Sequence, residues 1–163
     1  MAKQKGFKTD EVKSITGLDT RMVTYYAEKL QIEAEVDPGE GRGKIKRYSH
    51  KNLFEFFIVK ELHGYGFALK NMQELFKLIR VPLPAARLKI GRTTKLNMQG
   101  YAGMWAQIPE GAFLVIYKMD TGGFHHEISQ VRAEMLLNPH KLEKCSNVLM
   151  INLGRIANNM RSL

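Results

Sequence analysis

The sequence predicts an α+β chain in which a mainly helical N-terminal domain precedes a smaller domain of mixed strands and helices. Apolar residues recur at helical spacing through most of residues 7–79. Residues 113–117 and 148–153 are instead short apolar runs of the kind found in buried strands. Pro82 and Pro84 separate the two patterns, because proline ends helices. We therefore expect a helical domain at residues 1–80, a linker at 81–86 and a small α+β domain at 87–163.

The chain is expected to begin with two short helices joined by a tight turn. Thr9 is placed to cap the first helix, whose buried face would be supplied by Val12 and Ile15. Thr16-Gly17-Leu18 forms the turn, since glycine adopts backbone conformations that other residues resist. Asp19 would cap a second helix running from Thr20 to about Leu30.

The period of the second helix divides its residues between a buried and an exposed face. The side chains expected to point inward are Val23, Tyr26 or Ala27, and Leu30. Those expected on the opposite face are Arg21, Thr24, Tyr25 and Glu28.

A basic hairpin is expected after the second helix. Residues 33–36 form an extended segment, and Asp37-Pro38-Gly39 is a strong turn signal. The glycine-rich, basic residues 41–48 then return as a second strand. We call residues 33–48 the wing and expect it to have two strands.

Two further helices complete the N-terminal pattern. Ser49 and Asn52 have the spacing of a capping box, and an apolar stripe of helical period follows as far as the Gly64-Tyr65-Gly66 stop. A fourth amphipathic helix follows and ends before Pro82.

The second half is expected to mix strands and helices. Short strands are expected within residues 87–99, at 113–117 and at 148–153, and helices at 128–137 and 156–163. Residues 101–107 are ambiguous between helix and strand.

The charge and cysteine content narrow the class of protein. The 163 residues include 25 Lys and Arg against 16 Asp and Glu, a formal net charge of +9 that favours polyanionic partners, nucleic acid first. The single cysteine, Cys145, excludes an internal disulfide. No apolar run is long enough to span a bilayer, and the start does not have the pattern of a signal peptide. We expect a cytoplasmic protein without a membrane partner.

The exposed residues of the second helix and the wing have the chemistry of a duplex DNA interface. Arg21 can bind a guanine edge or a phosphate, Thr24 a base edge or a phosphate, and Tyr25 can donate its hydroxyl to a phosphate. The wing supplies cations for the neighbouring phosphate backbone: Arg42, Lys44, Lys46 and Arg47. An ordinary helical hairpin with a solvated basic loop remains an alternative explanation of the same pattern.

Residues 7–79 resemble the DNA-binding domain of the MerR family of transcriptional regulators. The resemblance lies in elements that keep the family's order and spacing: F-K-T-D-E-V at 7–12, T-G-L-D-T-R at 16–21, the tyrosine pair at 25–26, G-R-G-x-x-x-R-Y-S at 41–49, Leu53, and L-H-G-Y-G-F-A-L at 62–69. The resemblance implies a winged helix-turn-helix fold. It also implies a homodimer that binds a two-fold-symmetric promoter element in double-stranded DNA and distorts it for RNA polymerase.

The same resemblance implies DNA contacts by Arg21, Tyr25, Arg47 and Tyr48. Three departures from the family pattern matter. The wing is a glycine-arginine variant, so its contacts are expected to differ in detail. Thr24 stands where many members have arginine, which removes one charged contact. Pro82 and Pro84 interrupt the chain where the family commonly has a long dimerisation helix. A dimer would therefore use the C-terminal domain or a later helix. The C-terminal domain would dimerise the chain, sense an effector, or do both.

Other functions remain open. An excisionase-like architectural or recombination factor would use the same winged motif, and a DNA-targeted enzyme or nucleotide-binding module is a further alternative. Cys145, His125, His126 and His140 form a poor metal set, because adjacent histidines point to opposite faces of a strand. No nucleophile has an evident base, and no phosphate-binding glycine loop is present. We expect no metal, cofactor or catalysis, and the sequence does not identify an effector.

Overall fold

The computed structural model describes residues 6–39, 41, 45–80, 105–108, 110–121, 124–130 and 143–163, and they form a mixture of helices and antiparallel strands. Two compact units are present, one ending at Phe76 and the other beginning at Lys77. The predicted strands at residues 87–99, the linker prolines and His140 lie outside the described residues.

The first two helices are joined by the predicted glycine turn. Helix α1 spans Thr9–Thr16 and α2 spans Thr20–Lys29. Gly17, with φ of +80°, ends α1, and the Asp19 carboxylate caps α2 by accepting the Met22 N–H at 2.9 Å. The prediction that Thr9 caps α1 is wrong. The Glu11 carboxylate accepts the Lys8 backbone N–H at 2.7 Å, which places Lys8 at the cap and Thr9 inside the helix.

Helix α3, His50–Gly64, is the centre of the N-terminal unit. It begins with the predicted capping box of Ser49 and Asn52 and ends at the predicted glycine. The expected single apolar stripe is wrong, because every residue from Asn52 to Val59 is buried, including Glu55 at 2% exposure. A helix that is apolar on nearly all sides is one enclosed by other elements. Helix α4, Leu69–Arg80, follows and buries Met72, Leu75 and Phe76.

One isolated antiparallel bridge joins the wing to the start of the chain, and a second lies within the wing. Phe7 pairs with Tyr48 through two backbone hydrogen bonds of 2.8 Å, and Asp37 pairs with Arg47. Two strands were predicted for the wing, but its described residues form isolated bridges instead. The predicted turn is present: the Asp37 carboxylate accepts the Gly39 N–H at 2.9 Å, and Gly39 has φ of +69°.

The C-terminal unit contains an antiparallel sheet of order β2-β1-β3. The strands span Ala112–Met119 (β1), Phe124–Gln130 (β2) and Cys145–Asn152 (β3). The predicted buried run at 113–117 is thus the central strand. The helix predicted from Ile128 is wrong at residues 128–130, because they complete the ladder along β1, with Leu114 opposite Ile128. Residues 131–137 of that prediction lie outside the described part of the chain.

The last helix, α5, spans Leu153–Arg161 and begins three residues earlier than predicted. Asn152 caps it by accepting the Arg155 N–H at 2.8 Å. Arg161 donates to the carbonyls of Ala106 and Ile108, which fixes the short 3₁₀ helix Trp105–Gln107 before β1. Within the described residues, each helix is too short or too polar to traverse a lipid bilayer.

Candidate nucleic-acid interface

One face of α2 is exposed along its whole length. Arg21, Thr24, Tyr25 and Glu28 lie on it, as the helical period predicts, while Val23, Tyr26 and Ala27 on the other side are buried. A helix of 10 residues is about 15 Å long, enough to lie in a DNA major groove about 12 Å wide.

The polar side chains of this face differ in the hydrogen bonds and salt bridges that they form. The Thr24 hydroxyl donates to the Thr20 carbonyl at 3.0 Å, so its oxygen presents an acceptor rather than a donor to a partner. Arg21 takes part in none of the salt bridges formed among the described residues. Its guanidinium is exposed and can offer two parallel donors to a base edge or phosphate.

The tyrosine pair connects the exposed face to the core. Tyr25 is 45% exposed, and its ring packs edge-on against Tyr26 with centroids 5.3 Å apart. Tyr26 is 6% exposed, and its hydroxyl lies 2.8 Å from Nδ1 of His63 on α3. Burial, and secondarily Tyr25, raise the pKa of Tyr26. The exposed ring of Tyr25 thus packs against Tyr26, and the contact with His63 fixes the position of Tyr26.

The end of α2 is bonded to α4. The Gln73 side chain of α4 donates to the Lys29 carbonyl at 3.0 Å, which satisfies a carbonyl at the end of α2. Lys29 Nζ lies 2.8 Å from Glu28 Oε1. Hydrogen bonding and charge from Lys29 lower the pKa of Glu28, and the charge of Lys46 lowers it further.

The predicted cations of the wing are placed differently from one another. Lys46 is exposed, whereas Arg47 is half-buried and donates through Nη1 to the Gly6 carbonyl at 3.4 Å. A Cβ on Gly6 would lie 2.9 Å from Cβ of Arg47, so glycine permits this close approach. Arg42 and Lys44 lie outside the described residues.

Tyr48 does not lie on the surface, so the contact with DNA assigned to it is corrected. It is 2% exposed, and its ring packs edge-on against Phe56 with centroids 5.2 Å apart. Burial raises the pKa of Tyr48, while a hydrogen bond with Thr9 acts in the opposite sense. Tyr48 directly follows the basic segment in the sequence, which suggested that it is exposed. The chain instead enters the core between Arg47 and Tyr48.

A partly buried polar cluster at the base of the wing was not predicted as part of the site. The Asn52 side-chain oxygen accepts the backbone N–H groups of Ser49 at 3.0 Å and Glu35 at 3.3 Å. The Ser49 hydroxyl donates to the Glu35 carboxylate at 2.7 Å, and Lys51 forms an ion pair with the same carboxylate. The sequence signals the capping role of Asn52 but gives no sign that Glu35 folds back onto it.

In the part of the chain that the structure describes, no three His, Cys, Asp or Glu side chains are grouped so that they could hold a metal ion. A comparison with protein-family models finds none that matches the chain, and a comparison with curated proteins finds no match either.

Proposed function

We propose that the N-terminal unit binds double-stranded DNA sequence-specifically and that the chain is a transcriptional regulator of the MerR type. In this proposal α2 lies in the major groove, and the wing lies on the flanking phosphate backbone. The observation that carries the proposal is the exposed face of α2, on which Arg21, Thr24 and Tyr25 lie together.

The roles proposed for the residues of this surface follow from their chemistry. Arg21 lies near the start of α2, the part of a recognition helix that contacts base edges, and binds a guanine edge or a phosphate. Thr24 presents an acceptor, which suits a base amino group. The Tyr25 hydroxyl donates to a phosphate and fixes the register of the helix on the duplex.

The wing contributes affinity more than sequence preference. Lys46, together with Arg42 and Lys44, supplies charge for phosphates, a contact that carries no sequence information directly. Arg47 is tied to the start of the chain and orients the wing. The buried Asn52, with Glu35 and Ser49, holds the base of the wing.

A homodimer on a two-fold-symmetric promoter element is the assembly we propose, with the C-terminal unit forming the dimer contact and RNA polymerase as the eventual partner. The prolines after Arg80 support the C-terminal unit for this task, because they interrupt a continuous dimerisation helix. The resemblance to MerR regulators supports the two-fold symmetry, since a symmetric dimer reads a symmetric site.

The test is a footprint on the protein's own upstream region, with the mass in solution measured alongside. Arg21→Ala should weaken binding to the protected fragment by about 1–3 kcal/mol. Arg155→Ala, which removes an exposed arginine from α5, is the matched control and should keep the affinity. If both variants bound DNA with the affinity of the unmodified chain, α2 would not be part of the interface.

A further inference from the structure

The end of α2 is closed by a hydrogen-bond pattern that usually contains glycine. The Ile32 N–H donates to the Ala27 carbonyl at 2.9 Å. The Gln31 N–H donates to the Glu28 carbonyl at 3.3 Å. Together these bonds form a Schellman motif, in which the residue at the position of Gln31 adopts left-handed backbone geometry. Gln31 does so, with φ of +54°.

The other left-handed helix ends of this unit are made by glycine. Helix α3 ends in the same motif with Gly66 at the left-handed position, at φ of +72°, and α1 ends at Gly17. Among the described residues, Gln31 alone combines a positive φ with a side chain. Because a Cβ disfavours this geometry, Gln31 introduces strain at the end of α2 that glycine would relieve.

The side chain of Gln31 has no partner within the described part of the chain. Leu30 and Ile32, on either side, are 3% and 2% exposed, whereas Gln31 is exposed. No described residue exchanges a hydrogen bond with the Gln31 side-chain amide. The backbone is thus fixed between two buried neighbours while the amide is open to solvent. A strained residue of this kind points to a function outside the fold.

The place of Gln31 in the chain indicates which partner it meets. It follows α2 and precedes the wing, and both elements contact the duplex in the proposed complex. It comes ten residues after Arg21, about 15 Å further along a helix axis. Base edges are contacted by the first residues of a recognition helix, so the backbone is the part of the duplex left to Gln31. A glutamine amide donates to phosphate oxygens without carrying charge.

We propose that Gln31 binds a DNA phosphate through its side-chain amide, and that this contact is why the left-handed residue at the end of α2 is not glycine. This inference rests on the proposed function. Because the motif holds the backbone, the amide is presented at a small cost in ordering. The contact adds affinity without sequence preference, since every duplex offers the same phosphates.

The experiment compares Gln31→Gly and Gln31→Ala with the unmodified chain. Both remove the amide, but only glycine relieves the strain, because alanine keeps the Cβ. Both should weaken binding about two- to tenfold, the effect of one hydrogen bond, on the footprinted fragment and on a random-sequence duplex alike. In urea unfolding, Gln31→Gly should raise the ratio of folded to unfolded chain about two- to tenfold, and Gln31→Ala should leave it nearly unchanged.

The neutrality of the amide provides an independent check. Loss of a neutral donor releases no counterion, so both variants should keep the slope of log affinity against log salt. Lys46→Ala, which removes an exposed charge, is the contrast and should flatten that slope. Gln31→Glu, which has nearly the same size but no donor, should weaken binding more than Gln31→Ala, because a carboxylate repels phosphate.

The outcomes separate this inference from the proposed function. If the unmodified chain binds the footprinted fragment and Gln31→Ala binds it equally well, the role of Gln31 alone is overturned. A loss of affinity confined to Gln31→Gly has the same consequence, because it would come from backbone freedom. Failure of the unmodified chain to bind any duplex overturns the proposed function and this role with it.

Discussion

The hydroxyl of Tyr26 on α2 lies 2.8 Å from Nδ1 of His63 in the last turn of α3. The two rings also meet edge-on, with centroids 5.9 Å apart. This contact joins the helix that bears the candidate interface to the central helix of the unit. It also fixes the ring on which Tyr25 rests, so a single buried hydroxyl helps to orient the exposed face.

Tyr26→Phe should lower the free energy of unfolding by about 0.5–1.5 kcal/mol, the usual contribution of one hydrogen bond. Tyr25→Phe is the matched control; since its side chain is exposed, stability should stay within about 0.5 kcal/mol of the unmodified chain. Urea unfolding followed by far-ultraviolet circular dichroism measures both, because this signal is dominated by helices.

The two variants should also separate stability from binding. Tyr25→Phe should weaken DNA binding, because it removes the phosphate donor while leaving the fold intact. If Tyr26→Phe proved as stable as the unmodified chain, the contact with His63 would have no energetic role.

Alkaline pH should destabilise the N-terminal unit more than its tyrosine content alone predicts. Burial raises the pKa of Tyr26 and of Tyr48 above the value of about 10 expected in the unfolded chain. In the window between the unfolded and folded pKa values the unfolded chain binds fewer protons, so the free energy of unfolding falls as pH rises. The stabilisation is complete below about pH 10 and is lost as the pH passes through the folded values.

The measurement is the urea midpoint as a function of pH from about 8 to 11, a range that brackets the ordinary tyrosine value. The double variant Tyr26→Phe, Tyr48→Phe should show a shallower decline than the unmodified chain. Tyr65→Phe, at a position that is 61% exposed, is the control and should follow the unmodified chain. Parallel curves for all three would show that ionisation of the buried hydroxyls does not limit stability.

Asn52→Ala should destabilise the base of the wing. The change removes the acceptor of the Ser49 and Glu35 backbone N–H groups at a site with 2% exposure, and unsatisfied donors of this kind cost about 1–3 kcal/mol. Asn71→Ala, at a half-buried position of α4, is the matched control with an expected change below about 0.5 kcal/mol. In urea, the circular dichroism signal should therefore change at a lower concentration than the fluorescence of Trp105. Trp105 is the single tryptophan and lies in the other unit.

Local sequence signals predicted the elements whose formation depends on neighbouring residues. Asp19 as a cap, Gly17 as a turn, and the exposed face of α2 follow from spacing and backbone preference, and the structure confirms each. The buried apolar run at 113–117 likewise became the central strand. These features need no information about distant parts of the chain.

Features set by distant residues were not predictable in the same way. Glu35 meets Ser49 and Lys51 only after the wing has folded back. Ile128 lies in a strand because β2 pairs with β1, although the residues next to Ile128 in the sequence favour a helix. Tyr48 is in the core because it pairs with Phe7, 41 residues earlier in the chain.

Gly39 and Gly17 provide a matched pair for the role of the wing. Both have positive φ, +69° and +80°, so alanine introduces backbone strain of about 1–2 kcal/mol at either position. A Cβ on Gly17 would meet nothing within 4 Å, whereas one on Gly39 would lie 2.9 Å from the backbone nitrogen of Lys46. Only Gly39→Ala must therefore displace Lys46.

We expect both variants to lose stability but only Gly39→Ala to change the electrostatics of the interface. Its displacement of Lys46 should move the pKa of Glu28 toward the ordinary value and weaken binding to random-sequence duplex. The binding measurement belongs at a temperature where circular dichroism shows both variants folded. If Gly39→Ala and Gly17→Ala had the same Glu28 titration and the same affinity, the wing would absorb the added Cβ without moving Lys46.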